Sequence, residues 1–270
     1  MRKGVVKMKK KIFVILSVCL ILFSSLGIHA ESGHGYSWFC AHRKDHRQPI
    51  CDPSLSIISN YNGYYIDLSH GDDCDEKVIY LTFDAGYENG NVKRMLDVLK
   101  EEEATGAFFI LGNLIKTEPE LVTRMFEEGH LVCNHTFRHD PMIGKSQNEI
   151  SKELSSLEEL CLSLTGHQMA KYYRPPEGRF DENTLKSISD LGYKSIFWSF
   201  AYADWDNEKQ PSCESAKKKI LENVHNGEIM LLHPTSETNA SILGEVIREL
   251  RAEGYRFGTL DELCRNESNR

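Results

Sequence analysis

The chain has 270 residues, with 32 Lys and Arg against 40 Asp and Glu and a formal net charge of −8. That length suits one large α/β domain with its own buried core. The first thirty residues carry six of the basic side chains and no acidic one, so the rest holds 26 basic against 40 acidic residues, a net of −14 with histidine neutral. A body this acidic has no electrostatic footprint for nucleic acid and no bulk attraction to anionic polymers.

Arg2, Lys3, Lys7, Lys9, Lys10 and Lys11 form a basic start, Ile12 to Ile28 is uncharged, and Ala30 offers a small residue for cleavage. This order reads as a secretory signal peptide over residues 1–30, and so as an exported protein. The apolar run sits near the lower length limit for a spanning helix, so an uncleaved membrane anchor is the alternative. Residues 31–76 scatter His, Pro, Tyr, Asn and Gly among short apolar stretches and read as an irregular N-terminal extension packed on a main domain of residues 77–270. Beyond Cys19 in the leader, seven cysteines remain. Export permits disulfides, but seven thiols cannot all pair within one chain. Cys40 and Cys51 are candidate partners by proximity, and Cys133 reads as a buried thiol. No CxxC pair is present, which argues against a cysteine zinc cluster.

From Lys77 the pattern becomes regular. Val78 to Phe83 reads as a buried strand. Val92, Met95, Leu96 and Leu99 form one helical face. A strand at Ala107 to Leu111 follows, then a helix at Leu121 to Phe126 ended by Gly129. Leu131 to Cys133 is a short strand, and Ile150, Leu154, Leu157, Cys161 and Leu164 mark a long helix. Lys171 to Tyr173 leads into Pro175 and Pro176. Thr184 to Leu191 is helical and closes at Gly192. The remaining elements are a strand at Ser195 to Trp198, a helix at Ala216 to Val224, a strand at Ile229 to Leu232, a helical stripe at Ile242, Val246 and Leu250, and a last strand at Tyr255 to Phe257. Strand and helix alternate throughout, which implies a parallel sheet. About seven such units suit a distorted (β/α) barrel, in which reactive residues gather where strands end.

Five polar groups sit at those ends. Asp84 follows the first strand, His135 and His139 the third, Arg174 the fourth, Asp204 the fifth and His233 the sixth. His135 and His139 are spaced i, i+4, so a helix there would place both imidazoles on one face, where they could bind one cation.

With these residues in place, the chain resembles the polysaccharide deacetylase family, the NodB-homology group of carbohydrate esterases. The matching runs are Thr82-Phe83-Asp84-Ala85-Gly86-Tyr87-Glu88-Asn89-Gly90, His135-Thr136-Phe137-Arg138-His139, Arg174-Pro175-Pro176-Glu177-Gly178, Trp198 to Trp205 with Asp204, and Leu231-Leu232-His233. They follow the family's order over about residues 77–262. The tail from Gly86 to Gly90 resembles the subgroup of muramic acid de-N-acetylases that prepare the δ-lactam of spore cortex peptidoglycan. The resemblance implies hydrolysis of an N-acetyl group on a peptidoglycan glycan at the cell wall or spore envelope. It implies Asp84 as general base, His135 and His139 as ligands of a divalent metal of the zinc type, Arg174 as the partner of Asp84, and His233 as general acid held by Asp204, with Asp206 as a substitute. Tyr87, Trp205 and Arg179 are candidate sugar contacts, and Asn134 a residue that orients the histidine pair.

One position departs from the family's pattern. The usual motif has an acidic residue, and the lactam subgroup an Asn, where this chain has Ala85, which cannot ligate a metal. The expectation is a weakly held ion unless Asp84, Asp140, Asn134 or water adds an oxygen. Alternatives remain a deacetylase of glucosamine, chitin or acetylated xylan, and a catalytically silent glycan-binding barrel.

Overall fold

The computed structural model describes residues 35–268; the signal-peptide reading and Cys19 lie outside them. The strands are β1 (Tyr36–Ser37), β2 (Gly63–Tyr64), β3 (Lys77–Ala85), β4 (Ala107–Ile110), β5 (Leu131–Asn134), β6 (Ala170–Tyr173), β7 (Arg179–Phe180), β8 (Lys194–Ile196), β9 (Glu228–Leu232) and β10 (Tyr255–Phe257). The helices are α1 (Asn91–Glu101), α2 (Gly112–Thr117), α3 (Pro119–Glu127), α4 (Gln147–Thr165), α5 (Glu182–Asp190), α6 (Cys213–Asn223), α7 (Glu237–Ala252) and α8 (Leu260–Ser268). None of these helices is long and apolar enough to cross a membrane.

The seven strands read from the sequence form one parallel sheet. β3 lies at its centre, with β9 on one edge and β10 and then β4 on the other; β5, β6 and β8 follow β4 in order, and β2 adds to β8. The sheet curls: Phe200, just past β8, bridges to Met230 of β9, and the Leu231 amide donates to the Phe200 carbonyl at 2.9 Å. This is the distorted barrel that the alternation implies. β8 stops at Ile196 instead of running to Trp198 because residues 199–200 leave it to join β9.

Alternation along the strands separates two cores. Ile79, Leu81, Phe83 and Ala85 of β3 face the surrounding helices, packed with Val92, Met95, Leu96 and Leu99 of α1. Val78 and Tyr80 of β3 face the barrel interior with Ala107, Phe109, Cys133, Tyr172, Ile196 and Ile229. Side chains alternate with a period of two, so Thr82 and Asp84, then His135, Arg174 and His233, continue the interior rows toward the carboxyl ends of the strands. Both faces of the sheet are covered, which is why its strands are continuous apolar runs.

Helix ends follow local chemistry. Ser146 and Glu149 form a capping box at the start of α4, and Gly166 ends that helix in the left-handed region at φ 75°. Asp181 caps α5, placing its start two residues before the predicted Thr184. Two helices escape the sequence reading, α2 and α8. Residues 35–76 are short in regular structure but well packed. A 3-10 helix spans Pro53–Tyr61 under an Asp52 cap, β1 pairs with β7, and the Trp38 indole donates to the Trp198 carbonyl at 2.8 Å. Cys133 is buried, as read; the seven described cysteines form no disulfide, so the bond between Cys40 and Cys51 is not made.

Gly227 fixes the turn into β9. Its φ is 70°, and an added Cβ would lie 2.4 Å from the Asp67 carbonyl oxygen. Backbone strain and collision then act together, so Gly227→Ala is expected to cost about 2 kcal/mol or more. Denaturant unfolding of the variant checks this.

Candidate active site

Arg174 is the largest fully buried side chain, and every nitrogen of its guanidinium is engaged. Nη1 donates to Asp84 Oδ1 at 2.8 Å. Nη2 donates to Thr82 Oγ1 at 2.9 Å and to the Phe197 carbonyl at 3.2 Å, and Nε to the Ile196 carbonyl at 3.0 Å. The group lies 4.2 Å over the Phe109 ring. Thr82 in turn donates to the Met230 carbonyl at 2.7 Å, linking β3 to β9. Asp84 is therefore held through one oxygen, and its other, Oδ2, faces His135 Nε2 at 3.5 Å. Burial pushes the Asp84 carboxyl up, but Arg174 and the nearby His135 and His233 outweigh it and hold the group below the usual carboxylate range. Asp84 does not cap α1; Glu88 does, accepting from the Gly90 and Val92 amides at 2.9 Å each.

His135 Nδ1 lies 2.9 Å from the Arg174 carbonyl. A carbonyl only accepts, so the neutral ring carries its proton on Nδ1 and leaves the Nε2 lone pair facing Asp84. Burial pushes His135 down to about 4, against the pull of Asp84. His139 meets it edge to face, ring centroids 4.9 Å apart. A loop, not a helix, brings the pair together: Thr136 and His139 both have positive φ, at 73° and 65°. Asn134 builds that loop. Its Oδ1 accepts from the Thr136 amide at 2.9 Å, and Thr136 Oγ1 accepts from the His139 amide at 2.9 Å. The Asn134 amide nitrogen also donates to the Leu154 carbonyl at 3.1 Å, so this side chain shapes the loop and is not itself free as a ligand.

His233 follows β9 and lies within reach of the Asp84 charge. Its Nδ1 lies 2.6 Å from Asp204 Oδ1, and its backbone N–H donates to Asp204 Oδ2 at 2.8 Å. Burial pulls His233 down, but the Asp204 hydrogen bond and charge raise it above its ordinary 6.5. Asp206 does not substitute; it pairs with Lys209 at 3.7 Å. Trp205 is 61% exposed, its ring centroid 6.1 Å from that of His233. Tyr87 is also exposed and accepts from Asn207 Nδ2 at 2.6 Å. Arg179 lies exposed in β7 with its guanidinium 3.5 Å from Glu177. Thr82 stands in the first matching run without an assigned role, and Asn239 and Gln210, which both bond to Asp204, go unread in the sequence. Thr82 was detectable, because it shares the strand parity of Asp84.

Two imidazoles with Nε2 of His135 free fit a divalent cation as nitrogen donors. Ala85 is sealed among apolar side chains on the helix side of β3 and adds nothing. Among the described residues, no three His, Cys, Asp or Glu side chains converge as a ligand set.

Residues 71–196 match the family described as polysaccharide deacetylase, and the chain belongs to it. Peptidoglycan-N-acetylmuramic acid deacetylase PdaA of Bacillus subtilis is 39% identical over 84% of this chain and 85% of its own. The solved structure of PdaA, described as a family 4 carbohydrate esterase, superposes with a TM-score of 0.82 at 38% identity, covering 87% of this chain and 98% of that one. A peptidoglycan-N-acetylglucosamine deacetylase of Bacillus cereus is 30% identical over 71% of this chain and 90% of its own. Deacetylases of this family are metal-dependent.

The pKa of His135 has a sign that can be checked. The ring stays neutral in the folded chain down to about pH 4, while the unfolded chain protonates it near 6.5. Acidification through that window therefore favours unfolding. In the metal-free protein, 15N shifts should show His135 neutral and Nδ1-protonated at pH 5.5.

Proposed function

We propose that the chain is exported and removes the acetyl group from N-acetylmuramic acid of peptidoglycan, on the way to muramic δ-lactam in spore cortex. The observation that carries this is Asp84 held ionised by Arg174 opposite His233 held by Asp204, in a chain 39% identical to PdaA. The Gly86 to Gly90 tail supports the lactam subgroup. The peptidoglycan-acting relatives support a place at the cell wall or spore envelope, reached through a leader over residues 1–30, with the catalytic domain in residues 77–270.

The reaction adds water to an amide carbonyl and expels an amine. Asp84 is the general base, and its Oδ2 is the oxygen left to take a proton from the attacking water. Arg174 holds that carboxylate in place through the other oxygen and keeps it charged. An amide nitrogen leaves poorly as an anion, so it must be protonated as the C–N bond breaks. His233 is the general acid: its Nδ1 is bound to Asp204, which leaves Nε2 to deliver the proton. Acetate and a free amine result. His135 and His139 are the proposed ligands of a divalent metal, zinc by ligand type, which would supply a Lewis acid for the acetyl carbonyl. Trp205 offers an exposed face for a sugar ring beside His233, Tyr87 a second, and Arg179 a cation for a lactyl carboxylate.

A second reading, a silent glycan-binding barrel, rests on Ala85 and the two-histidine metal site. Acetate release from muramic acid glycan stripped of peptide, chitooligomers and acetylated xylan, each with and without added zinc after dialysis against chelator, separates the readings. The expected result is release from the muramic substrate that is lost on dialysis and restored by zinc, and that falls about 10²-fold or more in Asp84→Asn. Glycan binding without release at any metal level would establish the silent barrel. Zinc retained stoichiometrically through dialysis would contradict the two-ligand site.

A further inference from the structure

Asp204 is fully buried, and both its oxygens are engaged. Oδ1 meets His233 Nδ1 at 2.6 Å. Oδ2 accepts from the His233 backbone N–H at 2.8 Å and from Asn239 Nδ2 at 2.6 Å. Asn239 Nδ2 also reaches the His233 carbonyl at 3.2 Å. One amide thus touches both the carboxylate and the main chain of the histidine that the carboxylate holds.

Its orientation is fixed from behind. The Tyr202 hydroxyl bonds to Asn239 Oδ1. A carboxylate only accepts, so the reversed amide would set oxygen against oxygen at Asp204. The backbone is fixed as well. Ser236 caps α7, its Oγ accepting from the Asn239 amide at 3.1 Å. Three residues after such a cap, a side chain commonly reaches back toward the cap; here it turns inward. Gln210 ties the Asp204 loop to the same cap. Its Nε2 donates to the Asp204 and Asp206 carbonyls at 2.8 and 2.9 Å, and its Oε1 accepts from Ser236 Oγ.

We propose that Asn239, backed by Tyr202, is a positioning residue: it sets the plane of the Asp204 carboxylate and through it the aim and proton affinity of His233. The proposal rests on the reading of His233 as the general acid. The charged groups that face the imidazole are Asp204, Asp84 and Arg174; from α7, the neutral Asn239 amide reaches the His233 carbonyl. Without the amide donor, a buried carboxylate has lost one of the contacts that orient it, and its bond to Nδ1 slackens. The imidazolium then loses support, so its proton leaves at lower pH.

The test is acetate release against pH by the zinc-supplied full chain. Asn239→Leu keeps the bulk of the side chain and removes the donor. The expected result is a fall in kcat of about tenfold with KM within about twofold, together with a shift of the alkaline limb of kcat to lower pH. Tyr202→Phe leaves the amide but frees it, and should move the limb the same way by less; it carries the test if Asn239→Leu does not fold. A fall in kcat with the limb unmoved, a limb moved to higher pH, or no change would each overturn the proposal. His233→Ala, measured alongside, separates the two levels. Full activity there would sink the general-acid reading itself, whereas an inactive His233→Ala with an unmoved limb in Asn239→Leu would sink only the role of Asn239.

Discussion

A guanidinium with no exposed surface must place its charge on a partner, and Arg174 places it on Asp84 at 2.8 Å. Leaving either charge alone in this interior would cost several kcal/mol, so the two are fixed by each other. The consequences spread along named bonds. Nη2 reaches Thr82, whose hydroxyl spans to β9. The Arg174 carbonyl sets the tautomer of His135. Nε and Nη2 bind the carbonyls of residues 196 and 197, where β8 ends. One side chain thereby connects β3, β5, β6, β8 and β9 at the rim where the chemistry is proposed.

The site is also a set of opposed ionisations. Asp84 is kept charged, His135 is kept neutral by burial, and His233 is kept protonated above its ordinary value by Asp204. A base, a metal-ready lone pair and an acid need those three states at the same pH. The states of Asp84 and His233 follow from a partner at another strand end and that of His135 from burial, so the curled sheet sets the protonation states as well as the distances.

Much of this was legible in the sequence because parallel strands buried on both faces leave unbroken apolar runs, and because a period of two carries each run to a polar residue at its end. Asp84, Arg174 and His233 stand at those ends and Asp204 a few residues past its strand; Asp84 meets Arg174, and Asp204 meets His233. The i, i+4 spacing of His135 and His139 suggested a helix, but Asn134 and Thr136 spend their side chains on a turn with positive φ, which spacing alone does not report. The 3-10 helix at Pro53–Tyr61 and β2 take their places from partners distant in sequence, α5 and β8, so residues 35–76 looked featureless. Asn239 was silent because Ser-x-x-Asn marks a helix start as readily as an inward-turned amide.

Ala85 is the reason the metal is proposed to be the looser part of the site. Its position belongs to the helix-facing row of β3, sealed in apolar packing, while the base one residue earlier faces the interior. The central claim is therefore about the base: Arg174 keeps Asp84 ionised inside the barrel. The direct measurement is the carboxyl 13C shift of Asp84 in the full chain, followed from neutral pH downward. The account predicts that the carboxylate persists below pH 3.8, the ordinary value for aspartate. A titration midpoint at or above 3.8 would contradict it.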